Sequence, residues 1–147
     1  MQNAVVRRLT LDDYDRWMEV WERAGLHSTR PQGRDSRFAF EGQFASGTDI
    51  MLGLESGGDL LGVVLITHDG RKGWINRLAV LPEHRRQGDA VRLVGEAERV
   101  LRELGMTVIA ALVEGGNDAS LALFDRLGYT EQPGGVHYLS KRDHVDA

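Results

Sequence analysis

The sequence predicts an α/β fold of the α+β kind: a mixed, mostly antiparallel central sheet, flanked by helices on both faces. Three observations predict it. Two apolar runs, Ile50 to Glu55 and Leu60 to Thr67, flank SGGD, a hairpin signal because Gly57 and Gly58 can take the positive φ of a tight turn. Between Leu81 and Met106, the residues Ala90, Val91, Leu93, Val94, Ala97, Val100, Leu101 and Leu104 recur at helical spacing. A strand, loop, helix and second strand in that order form a crossover, so those two strands belong side by side and parallel. With 147 residues the chain fills one core, and residues 1–147 are read as a single domain.

The elements follow in order. Val5 to Leu9 is a first short strand, and Thr10 with Asp13 resembles a capping box opening a helix. That helix carries Tyr14, Trp17, Met18 and Trp21 on its apolar side; Trp17 and Trp21, four apart, share a face and are assigned to the core. His27 to Ser36 is rich in charge and turn formers and reads as an exposed loop, a solvated segment or the rim of a groove. A helix follows from about Ser36 to Phe44, then the hairpin, a turn over His68 to Gly73, and a strand from Trp74 to Leu81 that Pro82 ends. Gly105 stops the long helix. Met106 to Val113 is almost continuously apolar, as in a strand buried on both faces. A last helix over Asp118 to Leu127 ends at Gly128, and two short strands are expected around Tyr129 and over Val136 to Ser140.

Composition narrows the function. The 41% hydrophobic and 27% charged content is that of a globular domain. A net charge of -4 argues against nucleic acid as the main partner and favours a cationic substrate. No run approaches the length of a membrane span, and the polar start MQNAVVRRL is no signal peptide. Without cysteine there is no disulfide and no thiol nucleophile, so a cytoplasmic location is the default. The five histidines show no metal-ligand spacing, and no metal is expected.

The stretch LAVLPEHRRQGDAVRLV, Leu78 to Val94, places a cationic loop with one glycine at the start of the crossover helix. The first N–H groups of a helix lack internal partners and sit at the positive end of its dipole. An anion satisfies both, Gly88 lets it come close to the backbone, and Arg85 and Arg86 add charge. The competing reading is a solvated basic turn with Asp89 as the helix N-cap.

RRQGDA, Arg85 to Ala90, resembles the Arg/Gln-x-x-Gly-x-Gly/Ala loop of the GNAT superfamily of N-acetyltransferases, and NDASLALFDRLGY, Asn117 to Tyr129, resembles its second signature. Within that superfamily, WERAGL and THDGRKG are similar to a small bacterial YpeA-like branch. The resemblance implies acetyl-coenzyme A as co-substrate and a sheet splayed between its fourth and fifth strands, here Trp74 to Leu81 and Met106 to Val113. It implies that Leu78, Ala79 and Val80 pair with the pantetheine arm, that Arg85, Arg86, Gln87, Gly88, Asp89 and Ala90 hold the diphosphate, and that Asn117 and Phe124 flank the arm. Acetyl would pass directly to a primary amine of a small molecule or protein.

The departures from that pattern concern the proton handlers. The family's acid, a tyrosine seven residues after the asparagine, is Phe124, and two positions where relatives carry a glutamate base are Leu112 and Trp74. Asp89 stands where an apolar residue is usual, and its carboxylate opposes a diphosphate. Glu114, Ser120 and Tyr138 are the candidates to take over, each with a structural alternative: solvation, service to a helix end, and packing. A coenzyme-binding module without catalysis is the second reading. A homodimer is compatible with the edge strands.

Overall fold

The computed structural model describes residues 3–147. Met1 and Gln2, which open the polar start read as no signal peptide, lie outside the described residues. The elements are β1 (Val5–Arg8), a 3-10 turn (Leu11–Asp13), α1 (Tyr14–Ala24), α2 (Arg37–Ser46), β2 (Asp49–Ser56), β3 (Asp59–His68), β4 (Gly73–Val80), a second 3-10 turn (Pro82–His84), α3 (Asp89–Glu103), β5 (Ile109–Ala111) and α4 (Asp118–Arg126). The sheet runs in sequence order from β1 to β5, antiparallel until β4 meets β5 in parallel. The crossover read from the sequence, β4–α3–β5, accounts for that one parallel pair. Among the described residues no helix is long and apolar enough to cross a membrane.

Alternation along the strands sends side chains to two faces, and each face has its own core. Ile50, Leu52, Leu54, Val64, Ile66 and Ile75 pack under α3, which supplies Leu93, Val94, Ala97 and Leu101, together with Phe124 of α4. Met51, Leu60, Val63, Leu65 and Ala79 pack on the other face under Trp17, Val20 and Trp21 of α1 and Phe40 of α2. Trp17 and Trp21 are both fully buried, the core role their spacing predicts. Helix starts are set by side chains: the Asp13 carboxylate accepts the Thr10 N–H at 2.9 Å, and the Ser36 hydroxyl accepts the Ala39 N–H at 3.1 Å. Ser36→Ala removes that second cap and is expected to lower unfolding free energy by about 1 kcal/mol, read as a lower urea midpoint at unchanged slope.

Three expectations are corrected. The run Met106 to Val113 forms only a three-residue strand, Ile109–Ala111, and it is half-buried, with Val108 and Leu112 exposed. It is the outermost strand, so among the described residues one edge has no neighbour and nothing extends the ladder. The strands expected at Tyr129 and over Val136 to Ser140 are absent; residues 130–146 are exposed coil. Pro133 cannot donate to a ladder, and Gly134 and Gly135, at φ 81° and 75°, turn the chain before a strand could start. Finally, His27 to Ser36 is not simply solvated, because Asp35 within it is 2% exposed.

Two features of β4 shape the groove. Its ladder with β5 spans only Gly73 to Ile75, plus a 3.3 Å bond from Leu112 N–H to the Ile75 carbonyl. Beyond that point the strands part, where the splay was expected. On its other edge, Ala79 faces Val63 and Asn76 faces Leu65, so Arg77 and Leu78 together oppose Val64 in a bulge.

Candidate active site

The bulge re-aims side chains along the opened half of β4. Arg77 takes φ 50°, unusual for a residue with a Cβ and costing about 1–3 kcal/mol that its surroundings must offset. Its guanidinium lies 5.0 Å from the Trp21 ring centre and pairs with Asp35, which holds the α1–α2 loop against the strand. Asn76 and Arg77 therefore both face the α1–α2 side, Asn76 through a 3.3 Å bond to the Thr67 hydroxyl, while Leu78 and Val80 face α3. Neither the bulge nor the Arg77–Asp35 pair was foreseen. The signal was present as the polar pair Asn76-Arg77 inside the otherwise apolar strand WINRLAV.

From Val80 the chain passes through the Pro82–His84 turn into α3. Arg85 donates to the carbonyls of Val80 at 3.3 Å and Ala24 at 3.2 Å, and so fastens the loop to the end of α1. Arg86 and Gly88 have φ 64° and 80°, while Gln87 lies between them with its amide 3.5 Å from the Glu83 carbonyl. Two positive-φ residues so spaced curl successive N–H groups to one side, as in an anion-binding nest. Among the described residues, no protein group accepts from the N–H groups of residues 86–91. Gly88, and not Asp89, occupies the N-cap position of α3. Asp89 is 9% exposed, and its Oδ2 has no hydrogen-bond partner among the described residues.

Leu78, Val80, Ala90 and Phe124 share one apolar cluster, which brings the end of β4, the start of α3 and α4 together. Phe124 meets Tyr129 edge-on at 5.0 Å. The Tyr129 hydroxyl donates to Glu98 at 2.6 Å; burial first, and that carboxylate second, push its phenol well above the usual tyrosine value. The Tyr129 hydroxyl is thus committed to Glu98. Asn117 Oδ1 accepts the Ser120 N–H at 3.1 Å and caps α4, so the helix-end service considered for Ser120 falls to Asn117. Ser120 is half-buried on the first turn of that helix, Glu114 is exposed beyond β5, and Tyr138 is 81% exposed in the terminal coil. Ala79 is buried on the opposite face, under α1.

The sequence model of the acetyltransferase (GNAT) family matches residues 9–129. The chain belongs to the GNAT acetyltransferase family. It is similar to an acetyltransferase of Sodalis glossinidius, 31% identical over 137 residues that make up 93% of this chain and 94% of that protein. Among solved family structures, a PaiA N-acetyltransferase from Thermoplasma acidophilum in complex with coenzyme A superposes with a TM-score of 0.76 at 17% identity, covering 88% of this chain and 91% of that one. An aminoglycoside N-acetyltransferase in complex with coenzyme A gives 0.77 at 16% identity over 97% of each chain. These superpositions establish the fold of this sheet.

Proposed function

We propose that the protein transfers acetyl from acetyl-coenzyme A to a primary amine by direct attack. The observation that carries the reading is the run of N–H groups at residues 86–91, without protein acceptors and curled by Arg86 and Gly88, at the start of a 15-residue helix. That arrangement suits a diphosphate. Two superposing relatives hold coenzyme A. The opened edge of Leu78 to Val80 then takes the pantetheine arm as an added strand, with Asn117 and Phe124 across the gap.

The amine nitrogen attacks the thioester carbonyl carbon, a backbone N–H of β4 stabilises the oxyanion, the C–S bond breaks, and the amine proton passes to water. Of the three candidate proton handlers, Ser120 is the one we place at the departing sulfur: it is half-buried, its N–H is already held by Asn117, and it lies one helical turn before Phe124. Proximity and orientation supply on the order of 7–11 kcal/mol of the barrier at best, so strong acid–base assistance is not required. The absence of cysteine fits a reducing compartment, and we place the reaction in the cytoplasm.

The experiment is calorimetric titration with acetyl-coenzyme A, followed by thiol release on a panel of amines. Micromolar binding and amine-dependent release are expected. A native protein that does not bind acetyl-coenzyme A overturns the reading. A pH profile tests the mechanism further. Primary amines titrate near 10.4 and a coenzyme thiol near 8.5, the latter a good leaving group unaided (order-of-magnitude values). The logarithm of kcat/KM is therefore expected to rise about one unit per pH unit, with no falling limb below about pH 9. A falling limb in that range would reveal an essential acid and contradict the assignment.

A further inference from the structure

Arginines gather on the α1–α2 loop beside the bulge of β4, and one buried carboxylate stands among them. Asp35 is fully engaged: Oδ1 pairs with Arg77, and Oδ2 accepts the Arg30 backbone N–H at 2.6 Å. Arg34 donates from Nη2 to the Ser28 carbonyl at 3.2 Å, and Arg77 donates from its own Nη2 to the same oxygen at 3.3 Å. Two guanidinium groups thus meet on one neutral acceptor. Such a pair repels unless a negative group lies within reach of both.

Asp35 is near both, but it is spent on Arg77 and lies beyond ion-pair distance of Arg34. Arg34 has no carboxylate partner among the described residues, and it is exposed. The Nε of Arg30 is buried with no acceptor among the described residues. Although Arg34 is exposed overall, partial cover of its guanidinium first, and the Arg77 charge second, hold that group below its ordinary value; Arg142 and Arg30 add to them, and only Asp35 opposes. The chain as a whole carries a net charge of -4, so the local charge here is the reverse of the global one. Position matters as much as charge: Arg77 lies two residues past Ile75, the last residue of β4 paired in the ladder with β5, and so stands where the groove opens.

We propose that Arg34, backed by Arg30 and Arg77, receives an oxyanion, carboxylate or phosphate, borne by the acceptor, so that the substrates are small amines carrying an anionic group. A planar guanidinium matches either oxyanion with two parallel hydrogen bonds. Cations nearby also disfavour the ammonium form of the acceptor and raise its share of nucleophilic amine. The inference rests on the acetyl-transfer reading and names its acceptor class.

The test is calorimetry on the protein saturated with coenzyme A, titrated with phosphoethanolamine, β-alanine, ethanolamine and propylamine, on the native chain and on Arg34→Gln. Phosphoethanolamine or β-alanine is expected to bind at least about tenfold more tightly than its counterpart without the anionic group, ethanolamine or propylamine, and Arg34→Gln to weaken that binding about tenfold or more. Affinity for acetyl-coenzyme A stays within about twofold, since the same loss on the coenzyme would assign Arg34 to its phosphates. Equal binding of amines with and without the anionic group, binding of none, or an unaffected variant overturns the proposal. Thiol release separates the two readings: Arg34-dependent anion binding without acetyl transfer removes the enzyme reading, and with it the anion's place on an acceptor, while turnover of amines that lack an anionic group, without anion binding, removes this inference alone.

Discussion

A Gly88→Trp chain is expected to fold and to lose acetyl-coenzyme A. The φ of 80° at Gly88 disfavours any L side chain, a cost of about 1–2 kcal/mol that should appear as a modest fall in stability. Apart from its chain neighbours, no atom of the described residues lies within 4 Å of the position a Cβ would take, so a side chain can leave the backbone there without a clash. The obstruction arises only when a diphosphate must come within hydrogen-bonding distance of the N–H groups of residues 86–91. Losing two charge-assisted hydrogen bonds of about 1.5–3 kcal/mol each corresponds to roughly a hundredfold or greater rise in Kd. Gly88→Ala provides the scale, since it carries the same backbone cost with far less bulk and should weaken binding much less. Calorimetry and thermal melts on both variants read affinity and folding separately. Unchanged affinity in Gly88→Trp would place the diphosphate elsewhere.

That glycine was legible because its signal is local. A proline ends a strand, a cationic turn with one glycine follows, and helical periodicity begins directly after it. The hairpin at Gly57 and Gly58 and the Thr10–Asp13 capping box were readable for the same reason: a residue and its hydrogen-bond partner lie within a few positions. What failed depended on neighbours that the sequence does not name. Met106 to Val113 has the composition of a fully buried strand, yet β5 is the sheet's outer strand and only Ile109–Ala111 pairs. Val136 to Ser140 alternates suitably for a strand, but nothing pairs with it, and Tyr138 lies in exposed coil. Asp35 and Arg77 are 42 residues apart, and nothing in HSTRPQGRDS marks one aspartate as buried. The interruption of WINRLAV by two polar residues could have been taken as a bulge, since a strand with one face on a core rarely places Asn and Arg in succession.

That long-range pair should dominate the stability of the acceptor side. Asp35→Ala is expected to cost about 3–5 kcal/mol, because it strands the Arg77 guanidinium, 12% exposed, beside Trp21 and frees the Arg30 N–H. For a chain of this size that is a fall in melting temperature of roughly 10 °C or more. Asp35→Asn keeps the volume and an acceptor for Arg30 but not the negative charge, so most of the loss should persist. The double variant Asp35→Leu with Arg77→Met removes both charges and should recover a large part of it, as replacement of a buried ion pair by apolar side chains commonly does. A coupling energy near zero in that cycle would mean that the pair does not secure the loop. Recovery of stability without recovery of acceptor binding is the expected functional outcome. The apolar substitute refills the space under α1, but it supplies neither the bond to the Ser28 carbonyl nor the cation behind Arg34.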